Sequence, residues 1–361
     1  MKKSNIIYIL LIAIVAGIFG YTIYQHFDYE IPDEIFPYSA YTDVIEDDEG
    51  YVVVGINNFY KENGAKYNSN KNIILQGEFI KFDKNLNIVK NVKYSDGNDN
   101  GFMSREIIKV DDGYIVTGVI MPLNRVKSVV LKLDKDLNVL KKVYLNELDS
   151  TLALQIVKDN DKFIILTSTY RENGESISDE YNVIFEVDND LNIINRIPYK
   201  EGYKLYQIFL HNDNYLLIGD NEKESAIVTL SKDTKEVLST KKVNIPNQET
   251  VYLSNNKIYT KRIVYDLNTD ELVKFSGENL GDNHILLIED DIIYVSHIKQ
   301  SDNDYNESIY TYDLDMNKLK EYKVHVENID KIINYEDKLL VIGRETTNDD
   351  SIKPIIKFIE K

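Results

Sequence analysis

One 13-residue pattern recurs seven times without a gap along the 361 residues, and it restricts the fold more than any other feature. Aligned on Gly50, Gly113, Lys162, Asn214, Lys257, Asp291 and Lys338, the copies read DVIEDDEGYVVVG, EIIKVDDGYIVTG, QIVKDNDKFIILT, QIFLHNDNYLLIG, TVYLSNNKIYTKR, HILLIEDDIIYVS and KIINYEDKLLVIG. Each is a short apolar strand, an acidic or amide-rich turn and a second apolar strand, which is the signature of a hairpin. A recurring unit of this size cannot bury its apolar faces alone. It must stack on its neighbours in a linear or circular array.

A second motif follows the first in most copies. It reads GEFIKFDKNLNIVKNVKY from Gly77, SVVLKLDKDLNVLKKVYL from Ser128 and YNVIFEVDNDLNIINRIPY from Tyr181, with looser versions from Ser225, Ile263 and Ser308. Each is again strand, Asp/Asn turn and strand. Two hairpins per copy predict a four-stranded antiparallel unit. Runs such as YVVVG, FIILT and YLLIG have no polar face, as expected of strands covered on both sides. The seventh copy ends KPIIKFIEK, which overlays a third strand and stops before a fourth; the segment from Asp28 to Ser39 is the spare piece that would complete it. The fold expected is all-β: a single β-propeller over residues 25–361, with seven four-stranded blades and an N-terminal strand closing the last. Only 34 residues separate Lys257 from Asp291, so the fifth blade should be reduced. On these hairpin repeats the chain resembles bacterial envelope β-propeller repeat proteins, of loosely WD-, kelch- or quinoprotein-like architecture. It has no Trp-Asp signature, no kelch double glycine and no tryptophan docking motif, so the resemblance implies a fold and assigns no site residue.

The N-terminus carries an address. Lys2 and Lys3 precede an apolar run over residues 6–24, and the next Lys or Arg is Lys61, whereas Asp28, Glu30, Asp33 and Glu34 follow closely. About 20 apolar residues cross a bilayer as a helix, and the charge bias orients it. Residues 1–5 are therefore expected in the cytoplasm, 6–24 as a transmembrane signal anchor, and the remainder outside the plasma membrane. A cleaved signal peptide is the alternative, although Ala13 and Ala16 lie mid-run and make a poor cleavage site.

Charge and composition exclude several functions. With 42 basic and 60 acidic residues the net charge is −18, which opposes binding to nucleic-acid phosphates. The absence of cysteine removes disulfides, thiolate metal sites and cysteine nucleophiles. No nucleophile elbow or glycine-rich phosphate loop is present.

Two sets of residues are candidates for binding. The first position of each inner strand is polar in all seven copies: Asp43, Glu106, Gln155, Gln207, Thr250, His284 and Lys331. In a propeller they would ring the mouth of the central channel, orienting a polar ligand or simply tolerating water. The second set lies on the opposite face from the Asp-rich turns, in the long connections 56–76, 169–180 and 297–307, with Tyr60 and Tyr170 in or beside them; long connections are where function concentrates. Asp96, Asn98 and Asn100 match the start of a calcium loop, but Ile107 stands where its closing Glu belongs. The function expected is a membrane-anchored extracytoplasmic module that binds a protein or cell-envelope ligand near the membrane. The alternatives are a polysaccharide hydrolase or lyase using Asp43, Glu106 and His284, and a structural scaffold.

Overall fold

The computed structural model describes residues 39–60, 73–97, 101–120, 125–173, 176–221, 223–243, 251–260, 263–274, 284–301, 304–346 and 352–361. These residues form seven antiparallel sheets, each with its strands in chain order. The first sheet holds β1 (Ser39–Asp47), β2 (Gly50–Tyr60), β3 (Ile73–Asp83) and β4 (Ile88–Tyr94). The second holds β5 (Phe102–Val110), β6 (Gly113–Ile120), β7 (Lys127–Asp134) and β8 (Val139–Leu145). The third holds β9 (Ser150–Asp159), β10 (Lys162–Asn173), β11 (Ser176–Asp188) and β12 (Ile193–Tyr199). The fourth holds β13 (Lys204–His211), β14 (Asn214–Asp220), β15 (Ser225–Ser231) and β16 (Val237–Val243). The fifth holds β17 (Tyr252–Ser254), β18 (Lys257–Tyr259), β19 (Ile263–Asp266) and β20 (Leu272–Lys274), strands of three or four residues, as the short spacing predicts. The sixth holds β21 (Ile285–Glu289), β22 (Ile292–Ser301), β23 (Asp304–Asp313) and β24 (Lys318–Lys323). The seventh holds β25 (Asn328–Tyr335), β26 (Lys338–Thr346) and β27 (Ile352–Glu360).

The apolar residues sort into one core per junction between consecutive sheets. Val52, Val54 and Phe79 meet Tyr114, Val116 and Leu131 between the first two sheets, and Leu216 and Ile218 meet Ile258 and Tyr265 between the fourth and fifth. The decisive junction joins the ends of the chain: Tyr41, Val44, Tyr51 and Val53 of the first sheet pack with Leu340 and Ile342 of the seventh. The array is therefore a ring, a seven-bladed β-propeller. Burying a Val, Leu or Ile side chain contributes roughly 1.5–3 kcal/mol, so the continuous apolar runs of the second strands are what hold blade to blade. Close approach also matters: a Cβ on Gly77 or Gly118 would come within 2.4 Å or 2.3 Å of the Phe102 ring, which is fully buried between them.

The acidic turns have a structural purpose. Asp83 Oδ1 accepts the backbone N–H of Asn85 and of Asn87 at 2.8 Å, and its Oδ2 accepts the Asn87 side-chain amide at 2.8 Å. Asp134, Asp188 and Asp313 repeat the arrangement with Asn138, Asn192 and Asn317. The residue before each Asn is left-handed, with φ of 64° at Leu86, 63° at Leu137, 57° at Leu191 and 65° at Met316. That conformation is costly for a side chain with a Cβ; complete burial of Leu137 and Leu191 offsets it.

The fourth strands lie outermost and carry exposed aliphatics such as Val89, Leu140, Ile194, Leu238 and Leu319, interspersed with lysines that discourage edge-to-edge pairing. The seventh sheet has three strands among the described residues, and Ile355, Ile356, Phe358 and Ile359 of β27 are only half-buried. Of the segment from Asp28 to Ser39 expected to close the ring, Ser39 belongs to β1 of the first sheet and 28–38 lie outside the described residues, as does the expected anchor 6–24. Among the described residues no helix is long and apolar enough to cross a membrane.

Candidate functional site

The polar residues at the head of the first strands are built into the junctions. β1, β5, β9, β13 and β25 each break register at one residue: Thr42, Arg105, Leu154, Tyr206 and Asp330. The polar residue follows immediately. In four blades its side chain reaches to the next blade and accepts the backbone N–H one position further on. Asp43 Oδ2 accepts Ile107 N–H at 2.9 Å, Glu106 Oε2 accepts Ile156 N–H at 2.7 Å, Gln155 Oε1 accepts Ile208 N–H at 2.8 Å and Gln207 Oε1 accepts Val251 N–H at 2.9 Å. A buried N–H without a partner is expensive, and the innermost strand has no further strand on its axial side. An acceptor at this position is the solution, which is why Asp, Glu and Gln recur there.

The remaining members differ. Lys331 cannot accept; it pairs with Asp43 instead, while Val44 N–H is satisfied by Asp43's own Oδ1 at 2.8 Å. In the sixth blade the register break falls after the polar residue, at Leu286. His284 sits just ahead of β21, where its carbonyl accepts Ser296 N–H at 2.9 Å and its Nδ1 lies 2.9 Å from Ser296 Oγ. Thr250 lies outside the described residues.

Burial pushes the Glu106 carboxyl up to about 7, aided by the nearby Asp43 and opposed by the Ile156 N–H, Arg105 and Lys331. Burial works against the Lys331 ammonium, but Asp43 and Glu106 outweigh it and raise its pKa. The first strands thus bring Asp43, Glu106 and Lys331 into one electrostatic group near the ring axis, and His284 bonds within its own blade.

The calcium candidate is differently engaged. Asp96, with a side chain 2 % exposed, accepts Tyr144 OH at 2.7 Å, Tyr94 OH at 2.9 Å and Lys142 Nζ at 2.7 Å. Its carboxylate already has three donors, and Asn98 and Asn100 lie outside the described residues. No cluster of metal-ligating side chains occurs among the described residues.

Among the described residues the two ends of each connection expected to be a loop are strand. β2 and β3 pair out to Tyr60 and Ile73, β10 and β11 out to Asn173 and Ser176, and β22 and β23 out to Ser301 and Asp304. They make hairpin arms on the first, third and sixth blades, all on the face opposite the Asp turns. Tyr60 ends the described part of β2 in the first arm, and Tyr170 sits at the register break of the third-blade arm.

A cleft of about 540 Å³ opens at the base of the third-blade arm, against the link into the fourth blade. Tyr181, Tyr199 and Tyr203 line it with Leu148, Arg171, Asp179, Glu180, Lys200 and Lys204. Neither Tyr60 nor Tyr170 lines it. Tyr181 and Tyr199 fall within strand motifs, so nothing in the pattern distinguishes them from core residues.

No known family model matches the chain, and no curated protein matches it in sequence. Solved structures match in fold. The β-propeller domain of the Trilobed protease from Pyrococcus furiosus, described as having an open velcro topology, aligns at TM-score 0.53 and 11 % identity over 90 % of this chain and 98 % of that one. A Pyrococcus horikoshii acylaminoacyl peptidase aligns at TM-score 0.53 and 12 % identity over 89 % of this chain, and a Mycobacterium tuberculosis puromycin-hydrolyzing peptidase at 0.53 and 10 % over 90 %. The chain spans about half the length of these two, 51 % and 53 %. At such identities the likeness is one of fold.

Proposed function

We propose that the chain is a membrane-anchored extracytoplasmic binding module that takes a protein or cell-envelope ligand on the face bearing the three hairpin arms. The observation that carries this reading is the placement of the arms of the first, third and sixth blades on one face, with the cleft at the foot of one of them. On the opposite face Asp83, Asp134, Asp188 and Asp313 are spent on closing their own turns. Membrane anchoring rests on the apolar run 6–24 and its charge bias. Shortening the arms by replacing 57–75, 171–178 and 298–306 with two-residue turns should abolish ligand capture without lowering the melting temperature by more than a few degrees, because loop length contributes little to stability. Capture that survives all three truncations would sink the reading.

One observation favours the enzymatic alternative. Glu106 is held near neutral pH, as a general acid requires. Glu106→Gln and His284→Ala test it: unchanged turnover of wall polysaccharide in both variants rejects these residues as catalytic.

A further inference from the structure

The cleft between the third and fourth blades has more cations than carboxylates in its lining. Its charged lining is Arg171, Lys200 and Lys204 against Asp179 and Glu180, in a chain of net charge −18. Two of the cations are matched: Arg171 lies 3.2 Å from Asp179 and Lys204 lies 2.9 Å from Glu180. Lys200 has no carboxylate partner among the described residues. Its Nζ stands 4.3 Å from the centre of the Tyr181 ring.

The aromatic walls are fixed in place. Tyr181 donates its hydroxyl to Glu147 at 3.2 Å and Tyr203 donates to Glu224 at 3.0 Å. Tyr199 is 4 % exposed. Rings tethered at the hydroxyl lose little further freedom when a ligand arrives. Among the described residues Leu148 is the one aliphatic side chain in the lining, so the cleft offers aromatic surface edged by polar groups. Its volume suits a small ligand of a few rings.

We propose that this cleft binds an acidic saccharide, with the C–H face of a sugar ring on Tyr203 and the sugar carboxylate on Lys200. The saccharide class follows from the surface: a pyranose presents an apolar face and a hydroxylated rim, which tyrosine rings and surrounding ion pairs complement. The acidic class follows from the Lys200 ammonium, which no carboxylate among the described residues matches. This inference rests on the reading of the arm-bearing face as the binding face and gives it a ligand chemistry.

The test is calorimetric titration of the full-length chain in detergent with a glucuronate-containing hyaluronan tetrasaccharide, with neutral chitotetraose and with a tetraglutamate peptide. Saturable binding of the acidic tetrasaccharide alone is the expected result. Lys200→Gln should weaken it by about five-fold, the scale of an exposed ion pair, and Tyr203→Leu by about ten-fold through lost stacking. Lys200 is exposed, so its substitution leaves folding intact, and thermal melting checks Tyr203→Leu. No binding of the acidic tetrasaccharide, equal binding of chitotetraose, binding of the peptide, or undiminished affinity in Lys200→Gln overturns the proposal. Partner capture in cells that needs the arms yet is unaffected by Lys200→Gln would overturn the saccharide and leave the arm-face reading standing.

Discussion

Lys331 in the seventh blade forms an ion pair with Asp43 in the first, across 288 positions of sequence. Asp43 is 5 % exposed and also accepts the N–H groups of Val44 and Ile107. The pair therefore ties the last blade to the first, and through Asp43 to the second. Lys331→Met should leave a buried carboxylate short of its counter-charge. Breaking a fully buried pair costs about 3–5 kcal/mol. The Lys331 side chain is 40 % exposed, so solvent screening reduces the expected loss to about 1–2 kcal/mol. Chemical denaturation reads it, and Asp43→Asn in the same chain should recover part of the loss. Full stability in Lys331→Met would mean that apolar packing alone closes the ring.

Glu106 and Glu307 are both pushed up to about 7, chiefly by burial. Each serves a junction, Glu106 through Ile156 N–H and Glu307 through Ile329 N–H at 2.6 Å. A folded-state pKa above the unfolded one means that the native state holds its proton longer. Stability is fully present below about pH 4.5, falls as the pH rises to 7 and then levels off. Glu106→Gln keeps the acceptor, as Gln155 and Gln207 do in the next two blades, and removes the titration. The variant should be more stable than the parent by about 1–2 kcal/mol above pH 7 and nearly equal to it at pH 4. Glu106→Ala orphans the Ile156 N–H and should cost about 1–3 kcal/mol at either pH. Melting temperatures across pH 4–8 separate the three chains.

Glu186 behaves oppositely. Burial disfavours its charge, but Lys235, Tyr215, Lys162 and Asn195 outweigh that and bring it down to about 2. It is 1 % exposed; Tyr215 OH donates to it at 2.7 Å and Lys162 Nζ at 2.9 Å. A depressed pKa contributes stability that is present above about pH 4.5 and lost as the pH falls toward 2. Glu186→Gln should lower stability by about 3 kcal/mol at pH 7, and the gap should narrow on acidification. A gap independent of pH between 7 and 2.5 would contradict the assignment.

Asp96 has its carboxylate filled by two tyrosine hydroxyls and a lysine. Burial raises its pKa, but Lys142, Tyr144 and Tyr94 more than compensate and hold it below the ordinary carboxylate value. Millimolar calcium should leave the melting temperature unchanged, and Asp96→Asn should lower it with or without calcium. A calcium-dependent rise that disappears in Asp96→Asn would restore the metal site.

The sequence revealed the ring because each blade repeats its hairpins at the same offset from a turn, and because both faces of every second strand are covered. It also revealed the weak fifth blade, since 34 residues between Lys257 and Asp291 leave room only for strands of three or four residues. The polarity of Asp43, Glu106, Gln155 and Gln207 was visible, but their role was not. It depends on a register break and on the N–H of a neighbouring blade, neither of which a local pattern records. The arms look like loops because their composition is polar, yet among the described residues inter-strand pairing runs out into them. Tyr181 and Tyr199 were hidden because a tyrosine in a strand motif looks like core until the adjoining blade is in place.

The most direct test of the account is crosslinking in intact cells, followed by mass spectrometry of what the full-length chain captures. A variant with residues 57–75, 171–178 and 298–306 shortened runs alongside. The account predicts a specific envelope ligand captured by the parent and lost in the shortened variant, with both chains melting cooperatively. Capture of the same ligand by both chains would contradict it.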